Sequence, residues 1–497
     1  MKQPTTDHRR QEIWSRFEPQ FRGGLLLIAL YAIPTRLSLI PSTIVQHDMW
    51  WHLRTGQWIQ AHKWVPYHDW FSSYGMGKFW AAYSWLFEVV LADFFSQFDL
   101  AGVLLYVFVL MVSITTAVFL LVRKCDCRLA LAVALTAIVI LALSPMVSPR
   151  PWLFTILLFT VELTVIVEAK RSRNYRVLFL LPLIFGLWAN VHIQFIYGLF
   201  VLFLATLEGP LTRLIGRFVQ VEIDGPPLPM SRLGVITVAS IVATFINPYH
   251  IRIYSVLLDT VRLTGLYDQI TELQALGFRS FPDWLLLSLT LGAVFVTGRR
   301  RRIDILMSLL LMLGIFLSFR SKRDAWFVAI VAIIIISRSF AAVSESRANP
   351  LLRGDLLLVS IAIILTSGSA FVIARGSNEA LAREVSANFP VGAVQFIRDH
   401  NFDGPLYNSF DWGGYLIWKL PNLPVSIDGR SNIHDADRIR SMVRTWEGAH
   451  DWSSDPELST ARLVVAPRDK PLTQLLRLDS RFVSVYEDNV AVVFVRH

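Results

Sequence analysis

The chain has 497 residues, 54% of them hydrophobic and 17% charged, with 47 Lys and Arg against 38 Asp and Glu and a net charge of +9. Mean hydropathy is +0.48, whereas soluble domains carry about 25% charged residues, so an ordinary soluble domain is excluded. Only two cysteines are present, Cys125 and Cys127; they form no disulfide framework, and a lone C-x-C falls short of a four-ligand metal site.

Several runs are nearly free of charge and long enough to cross about 30 Å of hydrocarbon. The chain therefore reads as a polytopic membrane protein. In that setting the positive charge belongs to short cytoplasmic loops and does not call for nucleic acid. Residues 1–22 carry Lys2, Arg9, Arg10, Arg16 and Arg22, which places them in the cytoplasm. They are too polar for a cleavable signal peptide. A retained first span runs from about Gly23 to Ile40 and delivers residues 41–100 to the outside.

Within that external region, Trp80–Phe98 is apolar enough to suggest a second crossing, but it contains Glu88 and Asp93. Counting it would also move the basic runs Arg123-Lys124, Lys170–Arg173 and Arg299–Arg302 to the outer face. It is read instead as an interfacial helix. Further spans follow at about Ala101–Val122, Leu129–Leu143, Trp152–Glu168, Val177–Ala189, Phe195–Leu207, Leu233–Ile246, Trp284–Thr297, Ile303–Phe319, Ala325–Ile336 and Asp355–Ala374. That makes about eleven transmembrane helices, with the N-terminus inside and the C-terminus outside.

The tail changes character. After Asn388-Phe389-Pro390 comes an amphipathic stretch, Val391–His400, then strand-like Pro405–Tyr407, helix-like Gly414–Leu420 and strand-like Pro424–Ile427. Further elements fall at Arg462–Val465, Leu472–Leu476 and Phe482–Tyr486, and Asp488-Asn489 reads as a hairpin turn into Val490–Val495. The fold expected is thus an all-α polytopic membrane domain over residues 1–375 with a small extracytoplasmic α/β domain over residues 376–497.

The chemistry-bearing stretch is Asp48-Met49-Trp50-Trp51-His52-Leu53-Arg54-Thr55-Gly56, at the outer end of the first span. On a helix, Asp48 and His52 share a face at i, i+4 with Trp51 beside them. The bland reading is an aromatic belt of Trp50, Trp51 and Trp58 at the interface. A belt has no need of an acid, which is costly near hydrocarbon.

This stretch resembles the D-P-W-F-N-Y-R element in the first external loop of oligosaccharyltransferase catalytic subunits. More broadly it is similar to the acidic motif of the C superfamily of glycosyltransferases (GT-C). A bacterial group with D-x-W-W-H-L-R-x-G resembles it most. His68-Asp69-Trp70-Phe71-Ser72, Tyr83–Glu88, Ser148-Pro149-Arg150-Pro151, Trp188–His192 and Asn247-Pro248-Tyr249 match further elements of that group.

The resemblance implies a GT-C-like fold in a bacterial cytoplasmic membrane. It implies an inverting transfer of sugar from a polyprenyl-phosphate-linked donor to an external glycan, lipid or protein acceptor, with membrane lipids as surroundings. Asp48 would be the base or would hold a divalent metal, Mg or Mn. Arg54, Arg150, Lys322 or Arg323 would meet the phosphate, with headgroup contact the alternative for Arg150 and Arg320–Arg323.

Many relatives carry a second acid after the third span; Ser144–Pro151 has none. Asp69, Glu88 or Glu272 would substitute, or the enzyme works without metal. Trp51 and His52 are expected beside substrate. His192 reads as a packing histidine or a substrate contact. Asp411, Asp428 and Arg430 lie in a stretch loosely resembling the W-W-D-Y-G region of oligosaccharyltransferases, and read either as site or as a strand–turn–helix. The competing classes are a lipid-linked-sugar flippase or transporter and a non-catalytic envelope scaffold.

Overall fold

The computed structural model describes residues 6–218, 222–262, 270–343 and 353–497; Lys2 and residues 263–269 of the long loop expected outside lie beyond the described residues. Among the described residues, fourteen α-helices run through the first three quarters of the chain. They are α1 (Thr6–Ser38), α2 (Met49–His62), α3 (Trp85–Phe98), α4 (Leu100–Lys124), α5 (Leu129–Ala142), α6 (Trp152–Ser172), α7 (Leu181–Val191), α8 (Phe195–Ile215), α9 (Met230–Thr244), α10 (Arg252–Arg262), α11 (Phe281–Arg299), α12 (Ile305–Arg320), α13 (Ala325–Val343) and α14 (Arg353–Arg375). A helix covers each apolar span read from the sequence. Five described helices are long and apolar enough to cross a membrane: Leu100–Lys124, Trp152–Ser172, Phe195–Ile215, Phe281–Arg299 and Leu357–Ala374. Leu129–Ala142, Tyr175–Val191, Met230–Thr244 and Ile305–Arg320 are apolar but shorter.

Local chemistry sets several boundaries. A capping box of Ser280 and Asp283, with Pro282 in the first turn, opens α11 and satisfies amides that have no helical acceptor. Asp304 opens α12 by accepting from Met307 N at 3.0 Å. The same carboxylate draws the basic ends together, receiving Arg338 at 2.8 Å and Lys170 at 3.4 Å, while Lys170 also donates to Glu208. Beside this network Glu222–Ile223 (β1) pairs in parallel with Arg302–Ile303 (β2). Cys125 and Cys127 are buried and free.

Helix α6 runs from Arg150–Pro151 to Lys170 and Ser172. At 1.5 Å per residue its length is roughly 30 Å. The loop carrying Arg150 and the Lys170–Asp304 network therefore sit at opposite ends of the bundle.

The remaining helices are short: α15 (Asn378–Asn388), α16 (Val391–Asp399), α17 (Gly413–Lys419), α18 (Ala436–Trp446), α19 (Pro456–Thr460) and α20 (Pro471–Leu478). They surround a sheet of β3 (Leu406–Asn408), β4 (Leu463–Pro467), β5 (Phe482–Glu487) and β6 (Ala491–Arg496), in spatial order β3-β4-β6-β5. β3 and β4 are parallel, and β4–β6 and β5–β6 are antiparallel. Asp488 makes the hairpin turn, its carboxylate accepting from Val490 N at 2.7 Å and Ala491 N at 2.8 Å, the self-capping habit of Asp in turns.

Two expectations need correction. Pro424–Ile427 is not a strand of this sheet, because its backbone pairs with the first loop. Val425 N donates to Phe71 O and Ser73 N to Val425 O, both at 2.9 Å. Nor do Trp50 and Trp51 form a lipid-facing belt. Trp50 is fully buried, stacked on Trp418 at 4.7 Å and set edge-on to Tyr415 and Phe389. An indole suits an interface, but it suits a dry aromatic cluster equally well.

α3 has 14 residues, too few to span, and lies against α2. A Cβ at Gly56 would overlap the backbone oxygen of Glu88. Only glycine permits helices this close.

Candidate functional site

The site forms where α2 begins. Asp48 sits at the N-cap position with φ −78° and ψ −24°, and its side chain makes no capping bond. An N-cap aspartate ordinarily turns its carboxylate back on the helix amides. In the α-region backbone seen here the carboxylate points outward. Its Oδ1 accepts from Trp51 Nε1 at 3.2 Å and its Oδ2 takes the Arg150 guanidinium. Burial raises the Asp48 pKa, Arg150 pulls it back, Glu272 pushes it up again, and the net direction is upward. Such a carboxylate is a stronger base than an exposed one.

Arg150 comes from the turn ahead of α6. Its Nη1 also lies 3.6 Å from Glu272 Oε2, and its guanidinium is 5.1 Å from the Trp152 ring. Glu272 is carried by the long loop between α10 and α11, which is stitched to the α12–α13 turn. Arg323 N donates to Glu272 O and Lys322 N to Gln274 O, both at 2.9 Å. This brings Arg323 to the same place, where Glu272, Tyr83 and Asp324 favour its charge against burial. The Nε atoms of both Arg150 and Arg323 are buried without a hydrogen-bond partner. Asp324 accepts from Gln194 and Tyr197, each at 3.1 Å, and burial pushes it up to about 6. Asp324 carries no local motif that would have marked it, whereas Tyr83 opens the Tyr83–Glu88 element.

Asp48, Trp51, Arg150, Glu272 and Arg323 are thus brought together. His52 turns instead to Glu88, Nδ1 to Oε1 at 2.9 Å, with both side chains buried. Burial raises Glu88 well above the carboxylate range, and burial together with Arg150 and His192 lowers His52 well below the imidazole range. This buried hydrogen bond braces α2 on α3. His192 bonds Thr155 Oγ1 at 2.8 Å, which in turn accepts from Trp188 at 3.0 Å. Arg54 is half-buried and its Nε has no partner. Asp411 is exposed.

Asp69, Asp428 and Arg430 are spent on one another. Arg430 Nη1 donates to Asp69 at 2.7 Å, and its Nε and Nη2 clasp Asp428 at 2.8 and 2.7 Å. His434 reaches Asp428 at 3.2 Å, and Ser72 reaches Asp69 at 2.5 Å. The side chains of Asp69, Asp428, Arg430 and His434 are 0% exposed. The guanidinium lies over Trp80 and Phe71 at 4.7 and 5.1 Å. This is a latch between the first loop and the tail, with no face left for substrate. It also positions Gly429, unmarked by any sequence signal except the charged residues flanking it. A Cβ at Gly429 would overlap Asp48 Oδ1.

Asp48 and Glu272 are the two carboxylates that could offer oxygens to a divalent metal. The Arg150 guanidinium already stands between them, and no cluster of three metal-ligating side chains exists among the described residues. The residues present do not fit a resident divalent cation.

The sequence matches no known family model and no curated protein. The fold is similar to solved structures of the oligosaccharyltransferase of Archaeoglobus fulgidus. The enzyme AglB in complex with an inhibitory peptide and a dolichol-phosphate aligns at TM-score 0.58 and 11% identity, over 91% of this chain and 70% of that one. The apo form aligns at 0.56 and 12%, over 89% and 69%. A form tethered to an acceptor peptide containing the NVT sequon aligns at 0.50 and 13%, also over 89% and 69%. At these identities the likeness is one of fold.

Proposed function

We propose that this chain is a multi-pass glycosyltransferase of a bacterial cytoplasmic membrane that moves a sugar from a polyprenyl-phosphate-linked donor to an acceptor on the outer face. Residues 1–375 form the membrane unit, with eleven spans and the N-terminus inside. Residues 376–497 form the outer domain that closes over the first external loop. The observation that carries this reading is the Asp48 carboxylate, turned out of its cap and made more basic by burial, beside two guanidiniums with unpartnered Nε atoms. The neighbouring structures bind dolichol-phosphate and an acceptor peptide, which supports the same two kinds of ligand here.

In the proposed reaction Asp48 takes the proton of the acceptor nucleophile. The freed electron pair attacks the anomeric carbon, the bond from that carbon to the phosphate oxygen breaks, and the electrons leave with the phosphate. Arg323 and Arg150 stabilise that departing charge, Arg by its planar fork. A single displacement inverts the anomeric configuration.

The test is mass spectrometry of envelope glycans and lipid-linked sugars with and without the protein. Accumulation of an outward-facing lipid-linked donor together with loss of one modification is the expected result. One observation favours a flippase instead: Glu162, inside α6, is fully buried and neither carboxylate oxygen has a partner, and intramembrane acids often serve transport. Donor trapped on the inner leaflet would decide for that reading.

Gly429→Ala probes how closely the tail must seat. The added methyl meets the short Asp48 side chain, so the base must move, and a misplacement of about 1 Å costs on the order of 10²-fold in rate. Transfer should fall by that order while the melting temperature stays near wild type.

A further inference from the structure

We propose that the Arg150 guanidinium is the resident cation of this centre, occupying the position between Asp48 and Glu272 that a divalent metal would need, so that the site takes no metal ion.

The inference rests on placing the reaction at Asp48 and concerns what balances the charge there. Arg150 Nη1 contacts Asp48 Oδ2 and lies 3.6 Å from Glu272 Oε2, so one positive group already bridges both acids. The local charges already face one another: Arg150 meets Asp48 and Glu272, and Arg323 meets Glu272 and Asp324. A divalent ion added to this set would sit beside two guanidiniums, and no three-ligand cluster exists among the described residues to hold it. Mg²⁺ demands near-octahedral oxygen coordination and is reluctant to shed water, a poor match to two carboxylates separated by an arginine.

Arg150 is also held in place. It lies between Pro149 and Pro151, whose rings fix φ, and its amide donates to Ser148 O at 2.8 Å. The Trp152 ring lies 5.1 Å from the guanidinium. A guanidinium stays charged at every accessible pH, so this cation needs no loading and cannot be stripped by a chelator.

The experiment is a Mn²⁺ titration, followed by electron paramagnetic resonance, of the purified full-length chain in lipid nanodiscs. It reads the centre without requiring sugar transfer, so failure of this inference and failure of the transferase reading are distinguishable. The wild type should show no saturable site. Arg150→Asp should gain one Mn²⁺ site per chain, and adding Asp48→Asn to that variant should remove it. Arg150→Gln, a gentler change, should gain a weaker site and covers the case in which Arg150→Asp does not fold. Saturable Mn²⁺ binding by the wild type that Asp48→Asn abolishes would overturn the proposal. So would folded Arg150→Asp and Arg150→Gln chains that bind none.

Discussion

Asp48→Asn is expected to lower sugar transfer by about 10²–10⁴-fold, the usual worth of a positioned general base, with little change in folding. Asn is nearly isosteric and can still accept the Trp51 Nε1–H bond that Asp48 receives at 3.2 Å. It cannot take a proton from an acceptor, and it gives up the charge that faces Arg150. The measurement is transfer in membranes supplied with lipid-linked donor, alongside the melting temperature of the purified chain. Full activity in the variant would remove Asp48 from the chemistry. A pH profile adds an independent reading. Burial sets the Asp48 pKa above the ordinary value of 3.8, so activity should fail on acidification earlier than an exposed aspartate would require.

Arg430→Met is expected to act on stability first, since it removes no group from the Asp48 centre but breaks a fully buried ion cluster. Removing one member of a buried, hydrogen-bonded ion set costs about 3–5 kcal/mol, because the remaining charges are stranded. Here two carboxylates would be stranded, Asp69 and Asp428, both 0% exposed. Burial opposes the ionisation of Asp428, yet Arg430 and His434 overcome it and hold the carboxyl well below the usual range. That stabilisation is present above the ordinary aspartate value and is lost only as pH falls through the depressed one. The variant should melt at a markedly lower temperature and become sensitive to protease between the first loop and the tail. Adding Asp69→Asn should restore part of the loss, since it removes one stranded charge. If Arg430→Met melts with the wild type, the latch has no mechanical importance.

Much of this architecture is legible in the residues. Charge-free runs mark the helices, and Asp488-Asn489 marks the hairpin. The acid beside paired tryptophans marks the place where Arg150 and Glu272 also arrive. The latch is not legible, because Asp69 and Arg430 are 361 residues apart and no local pattern records so distant a pairing. The same distance hides why Pro424–Ile427, strand-like by composition, pairs its backbone with the first loop and meets its own sheet only through the Asn408 and Ser426 side chains. His52 shares a helix face with Asp48, yet the direction of an imidazole depends on what lies opposite, and Glu88 on α3 claims it. Trp50 has the same composition whether it faces lipid or Tyr415. Asp428 and Arg430 announce charge chemistry equally well for a latch as for a substrate.

The zipper between Ser73 and Val425 joins backbone 352 residues apart. Asp48 is made before the more distant groups that meet it. Arg150 comes next, then Glu272, and Gly429 near the end. A chain interrupted between Arg323 and Gly429 would carry Asp48, Arg150, Glu272 and Arg323 without the glycine that packs against Asp48 Oδ1. The seating of Gly429 on Asp48 is thus the contact that brings the tail into this centre.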